Sequence, residues 1–263
     1  MKKILFILAF SNTLTSELIL EITQGTEDPY RVAILKFEGD QKVSNDIDKI
    51  IRNNLKRSGE FNLFANEDLL SLPTNETEVI FNDFKILNID YLVIGKIVKD
   101  GISISVVYDI FDINKGKKIR TSTVYGIPNK NRQLGHYVSD GIYEEITGMK
   151  GISSTKILYV TENKNFNLMV ADADGSNEQI LLKSNDPIIS PAWSPDSKKV
   201  AYVSFETGMA KVYIQDIATG ERELAIENSS QISSPSWSPD GKFLSLTMSV
   251  SYTHLTLPTK DGV

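Results

Sequence analysis

The chain carries one pattern twice. Pro191-Ala192-Trp193-Ser194-Pro195-Asp196 returns 44 residues later as Pro235-Ser236-Trp237-Ser238-Pro239-Asp240. A period of that length belongs to a four-stranded propeller blade, a unit that buries its faces only by stacking on its neighbours. Other residues keep nearly the same step: Tyr159-Val160 corresponds to Tyr202-Val203, and Val170-Ala171-Asp172 to Ile214-Gln215-Asp216. Each part of the repeat has a physical role. Pro and Asp make a tight turn, and Gly241 tolerates a positive φ after it. Lys199 to Ser204 alternates as a strand, and Lys211 to Asp216 follows as another. Ala218-Thr219-Gly220-Glu221 then turns into Glu223 to Ile226. Trp193 and Trp237 precede the Pro-Asp turns, where an indole can fill the space between adjacent sheets.

Counting strands limits the reading. Residues 156 to 183 supply three strands, 191 to 227 a four-stranded blade, and 235 to 248 the start of a third. About four blades are the minimum for a closed ring, so only part of a propeller is expected here. After Thr247 the repeat calls for a turn and a further strand. Residues 250 to 263 provide neither, which reads as a break or foreign junction near Val250.

The segment from 17 to 149 has a different texture. Arg31 to Phe37 reads as a strand. Ser44 is expected to cap a helix running to Lys56, with Ile47, Ile50, Ile51 and Leu55 on one face and Ser58-Gly59 ending it. A short helix around Phe84 to Leu87 comes next. Three strands, Tyr91 to Val98, Ile102 to Asp109 and Lys118 to Tyr125, are joined by turns at Asp100-Gly101 and Asn114-Lys115-Gly116. A last helix, about Arg132 to Thr147, is expected to bury Leu134, Tyr137, Val138, Ile142 and Ile146. The fold class is therefore a small α/β domain over 17–149, followed by an all-β partial propeller over 150–249.

The N-terminus reads as an export signal over residues 1–16. Lys2 and Lys3 precede the apolar run Ile4 to Phe10, which is too short to cross a bilayer core of about 30 Å. A buried first strand is the alternative. The formal charge of −6 and the lack of a basic stripe argue against nucleic acid. With no cysteine, disulfides, thiolate metal sites and thiol nucleophiles are all excluded.

No catalytic motif emerges. There is no G-x-S-x-G nucleophile elbow, no phosphate-binding glycine loop and no H-E-x-x-H pair. His136 reads as a structural helix residue, and His254 stands alone in the tail. Asp172-Ala173-Asp174-Gly175-Ser176 lacks the later ligands of a calcium loop and reads as a hairpin turn. Glu144 and Glu145 are adjacent on a helix and point apart, so they form no acid–base dyad. No catalytic, cofactor or metal residue is assigned, and no small-molecule substrate is expected.

The most telling stretch is the junction. Gly135-His136-Tyr137-Val138-Ser139-Asp140, Ile146-Thr147-Gly148-Met149-Lys150-Gly151 and Lys156-Ile157-Leu158-Tyr159-Val160 resemble the TolB family of the periplasmic Tol–Pal system, as does Glu21-Ile22-Thr23-Gln24-Gly25. The resemblance runs from about residue 17 to 249. It implies a six-bladed propeller of which about two blades are here, no catalysis, no cofactor, a monomer when intact, and a role in outer-membrane integrity and cell division. It also implies two protein partners. A TolA-like inner-membrane protein would bind the mature N-terminal segment Glu17, Leu18, Ile19, Leu20, Glu21 and Ile22. Its alternation suits a strand added to a partner's sheet, or equally an edge strand of its own domain. A Pal-like peptidoglycan-associated lipoprotein would bind one propeller face. The loops Asp186 to Ser190 and Ser229 to Ser234 would carry Pro187, Ile188, Ile189, Ser190, Gln231, Ser233 and Ser234 to it. Gln231 stands where the family often presents a His, keeping a hydrogen bond and losing the imidazole. The competing reading is the propeller of a prolyl-oligopeptidase-type serine peptidase whose catalytic domain is missing from this chain.

Overall fold

The computed structural model describes residues 28–227 and 231–249. The expected signal, the segment Glu17 to Ile22 and the tail from Val250 lie outside the described residues.

Strand β1 (Tyr30–Ile34) lies between β2 (Phe61–Phe64) and β3 (Tyr91–Asp100), parallel to both. Strands β4 (Ser103–Asp112) and β5 (Lys117–Gly126) extend the sheet antiparallel, giving the order β2-β1-β3-β4-β5. Alternate residues of β1 and β3 serve two cores. Val32, Ile34, Val93 and Ile97 pack beneath α1 (Gln41–Ser58) and α3 (Asn131–Thr147). Ala33, Leu35, Leu92 and Ile94 pack on the other side with Phe84 of α2 (Phe81–Ile86). A central strand buried on both faces reads as the continuous apolar run found at 32–35.

Helix α1 buries Ile47, Ile50, Ile51 and Leu55 as its spacing predicts, and Gly59 ends it at φ 78°. Its cap differs from expectation. Asp40 is the N-cap, its carboxylate accepting from the amides of Lys42 and Val43 at 3.1 Å each. Ser44 lies one turn inside, buried, with its hydroxyl donating to the Phe37 carbonyl at 2.5 Å. Arg52 ties the helix to the sheet, donating to the Ile34 and Phe64 carbonyls while pairing with Asp48 at 3.0 Å.

Helix α3 buries Leu134, Val138, Ile142 and Ile146, but Tyr137 is 42% exposed. His136 and Ser139 are buried instead. Gly135 lets α3 approach α1 closely, because a Cβ there would stand 2.8 Å from Ile50 Cγ2.

Beyond α3 the described residues form three separate sheets. The first holds β6 (Lys156–Glu162), β7 (Phe166–Asp172) and β8 (Gln179–Ser184). The second is a complete blade, β9 (Ile188–Trp193), β10 (Lys199–Ser204), β11 (Lys211–Asp216) and β12 (Arg222–Glu227). The third is the pair β13 (Gln231–Trp237) and β14 (Leu244–Ser249). Among the described residues these sheets form a partial propeller that does not close. Trp193 packs with Leu158, Val160, Leu168 and Tyr202 between the first two sheets. The Trp237 indole N–H donates to the Ala192 carbonyl at 3.4 Å, joining the third sheet to the second. The repeated turn is built alike twice. Asp196 accepts from the Ser194 hydroxyl at 2.7 Å and the Lys198 amide at 3.1 Å; Asp240 accepts from Ser238 and Lys242 at 2.6 and 3.1 Å.

The α1–α3 contact yields a direct test. Gly135→Ala gains about 1 kcal/mol of helix propensity but overpacks against Ile50 at a cost of about 1–3 kcal/mol. The expected net effect is a lower urea midpoint. A midpoint equal to or above that of the parent chain would contradict the close approach.

Candidate functional site

Pro187 lies in the loop before β9; the other residues expected on the propeller face sit on the neighbouring strands β9 and β13. They are strand rather than loop: Ile188 begins β9 and Gln231 begins β13. Pro187 and Ile189 are exposed, Ser190 and Ser233 half-buried and Ser234 exposed. Ile188 is buried at 2% exposure in the core with Leu168, Val200 and Tyr202, so its side chain cannot reach a partner directly. The side chain of Gln231 lies outside the described residues.

Ser190 and Ser234, one repeat apart, take φ of 52° and 54°. Both mark breaks in register, between Ala201 and Val203 opposite β9 and between Ser233 and Ser236 on β13. Such a bulge leaves a residue unpaired and turns the strand locally, a device that recurs where a sheet presents groups to a ligand. The left-handed conformation is costly for a residue with a Cβ. Its repetition shows that the blade design imposes it. Pro191 and Pro235 follow directly and need no ladder donor there.

A second polar assembly lies where α3 meets the first propeller sheet. Arg132, His136 and Asp140 recur every four residues and form one stripe on α3. Arg132 pairs with Asp174, in the turn after β7. Asp140 accepts the amides of Ser153 at 2.6 Å and Ser154 at 2.8 Å, fixing the chain as it enters β6. Gly151 is held so close to Asp140 that a Cβ would stand 2.5 Å from its Cα. The turn itself is as expected: the Asp172 amide donates to the Ser176 carbonyl at 2.8 Å, and Gly175 has φ 79°.

His136 is 3% exposed and tied to α1. Its Nδ1 lies 2.9 Å from Asn54 Nδ2, which also donates to Ser139 Oγ at 3.0 Å. Ser139 spends its own proton on the Gly135 carbonyl, and Arg57 donates to Asn54 Oδ1 at 3.2 Å. These bonds orient the Asn54 amide with its NH2 toward the ring, so Nδ1 accepts and the imidazole proton sits on Nε2. Nε2 is buried without a hydrogen-bond partner, 3.9 Å from Asp174 Oδ2. It faces a cleft of about 650 Å³ lined also by Lys130, Arg132, Lys156 and Asp172. Burial holds the His136 pKa below its ordinary value, against the pull of Asp174.

Ligand atoms of His136, Asp172 and Asp174 lie within 4.8 Å of one another. That composition does not make a metal site here. The Nε2 lone pair carries the proton, and each carboxylate already holds a cation, Lys156 on Asp172 at 2.7 Å and Arg132 on Asp174. Burial opposes ionisation of Asp174, but the Ser176 amide and the Arg132 guanidinium outweigh it and hold its pKa below the usual range. The sequence reading of His136 as structural missed this junction network. Its signal was the four-residue spacing of Arg132, His136 and Asp140.

Two family models match the chain: the TolB amino-terminal domain over residues 18–119 and the TolB beta propeller domain over residues 143–254. A protein called Tol-Pal system protein TolB from Alcanivorax borkumensis is 41% identical over 240 residues, covering 89% of this chain and 55% of that protein. The protein of the same name from Hahella chejuensis is 38% identical, covering 84% and 54%. The crystal structure of TolB from Acinetobacter baumannii superposes with a TM-score of 0.76 at 34% identity, covering 88% of this chain and 57% of that one. The chain thus spans about half the length of the curated relatives it matches.

The Asp140 contact can be tested alone. Asp140→Ala leaves the Ser153 and Ser154 amides without their acceptor, at an expected cost of about 1–3 kcal/mol. Hydrogen exchange at those two amides should quicken while β10 and β11 keep their protection. Unchanged exchange at both would refute the anchoring role.

Proposed function

Because this chain belongs to the TolB family, we propose that it is a non-enzymatic periplasmic adaptor of the Tol–Pal system, binding a Pal-like lipoprotein and a TolA-like inner-membrane protein. The name shared by its relatives supports placement in that system. The propeller contact rests mainly on one observation, the paired bulges at Ser190 and Ser234 on adjacent inner strands. Beside them Ile189 is exposed on one blade and Ser234 on the next, while the buried Ile188 and Ile232, one repeat apart, anchor the strands beneath. Two blades offering the same unpaired backbone favour recognition of a protein surface over chemistry on a small molecule. The N-terminal domain also favours an adaptor over the propeller of a serine peptidase, since its model match is to the TolB amino-terminal domain.

The TolA-like contact is assigned to Glu17 through Ile22, as an extended segment that adds to a partner's sheet edge. The two contacts are separable by experiment. With the soluble domain of a Pal-like lipoprotein in calorimetry, Ile189→Arg and Ser234→Arg should each weaken binding by about tenfold or more. Deleting residues 17–22 should leave that affinity intact and abolish capture of a TolA-like C-terminal domain. A parent chain that binds neither protein, or variants that bind as the parent does, would overturn the assignment.

A further inference from the structure

The cleft beside α3 contains a histidine with one satisfied side and one open side. Nδ1 is held by Asn54 of α1, and Nε2–H points across 3.9 Å to Asp174 of the propeller turn. Proton addition changes which side is satisfied. An imidazolium carries hydrogens on both nitrogens, so Nδ1–H would face the Asn54 NH2, donor against donor. Asn54 cannot simply flip, because Oδ1 already accepts from Arg57 and Nδ2 also serves Ser139. On the other side Asp174 is a carboxylate with capacity to accept, and a shift of about 1 Å brings Nε2 into hydrogen-bond range.

We propose that His136 is a proton-driven partner exchange between the two parts of the chain: neutral, it is fastened to Asn54 of α1; protonated, it leaves Asn54 and bonds Asp174 of the propeller turn. Groups on every packed element bear on this. Asp174 from the β7–β8 turn, Asp172 at the end of β7 and Asp140 from α3 favour the charged ring, while Arg132 from α3 opposes it. Arg57 from α1 holds Asn54 in place, and Lys156 from β6 occupies Asp172. The sign follows from burial. His136 is harder to protonate in the fold than in the unfolded chain, so the Asn54-bound form prevails near neutrality. Its contribution to stability is lost as pH falls below about 6.5, where the unfolded chain takes up the proton first. Within the folded chain, protonation then moves the fastening from the α1–α3 contact to the seam.

The chain has two histidines, so ring nitrogens are readily assigned. In the 15N-labelled full chain, long-range 1H–15N spectra should show His136 with Nε2 protonated near pH 7.5 and titrating below the free imidazole value of about 6.5. Through that titration, with rates taken relative to the intrinsic rate at each pH, exchange of the Asn54 side-chain amide should quicken by about tenfold, while the amides of residues 174–176 slow. Asp174→Asn, which keeps shape and removes the charge, should lower the His136 titration further and abolish the slowing. Four results would overturn the proposal: Nδ1 protonated at neutral pH, an Asn54 amide indifferent to the titration, an unaltered titration in Asp174→Asn, or unfolding before His136 titrates.

Discussion

Helix α3 must be buried on two sides at once, and much of the molecule is arranged around that demand. One side, with Leu134, Val138, Ile142 and Ile146, closes the core over the five-stranded sheet. The other meets the propeller through Arg132, His136 and Asp140. An apolar stripe alone would have produced an ordinary surface helix with a solvated back. Here the back is polar and still partly buried, so each polar group needs a partner or costs free energy. The Asn54–Ser139–His136 network and the Asp140 bonds to the chain entering β6 are how that requirement is met. Gly135 and Gly151 belong to the same constraint, each allowing an approach that a methyl group would block.

The propeller sheets solve a different problem. None closes a ring, so stability between sheets must come from face packing. Ile188, Val200 and Tyr202 meet Leu168 in one seam, and Val203 and Val212 meet Ile232 in the next. The aromatic and basic side chains of the second sheet reinforce it. Tyr202 stacks near Tyr213, Arg222 lies 4.4 Å over the Tyr213 ring, and its guanidinium pairs with Glu206. Burial pushes the Tyr202 phenol up to about 12, and its hydroxyl donates to Gln215 Oε1 at 3.1 Å. Gln215 in turn donates to the Leu181 carbonyl of the first sheet, so a buried polar chain crosses the seam alongside the apolar one.

What could be read from sequence follows the physics of each element. The α1 face was legible because its apolar residues recur at helical spacing against a polar background. Its cap was not. Ser44 is a good capping residue, but Asp40 stands one turn earlier, and the Phe37 carbonyl offers Ser44 a buried partner. Tyr137 misled in the reverse way, since hydrophobicity favoured it over His136, whose burial depends on hydrogen bonds that no periodicity reveals. The segments before the two Trp residues looked like loops because Pro and Ser crowd them. From Ile188 and from Gln231 onward they are strand, and the bulges at Ser190 and Ser234 place each Pro where no ladder donor is needed. For the seam, the spacing of Arg132, His136 and Asp140 was visible, but the turn that Arg132 and His136 face lies more than 30 residues away and only the fold brings it near.

The seam's charges also fix the order in which acid acts on it. Asp172 and Asp174 both have pKa values held below the ordinary carboxylate range, their bonds to cations and amides outweighing burial. Their contribution to stability is therefore intact until pH falls below about 4, where the unfolded chain's carboxylates begin to take up protons. His136 departs from its unfolded behaviour more than two pH units higher, below about 6.5. Over that interval both carboxylates of the folded chain stay charged and available as acceptors. The separation is what makes a partner exchange physically coherent. Were Asp174 to titrate together with His136, the new bond would lose its charge as it formed. Because its bonds to Arg132 and the Ser176 amide hold Asp174 below the ordinary carboxylate range, the proposed exchange has an ionised acceptor at the seam.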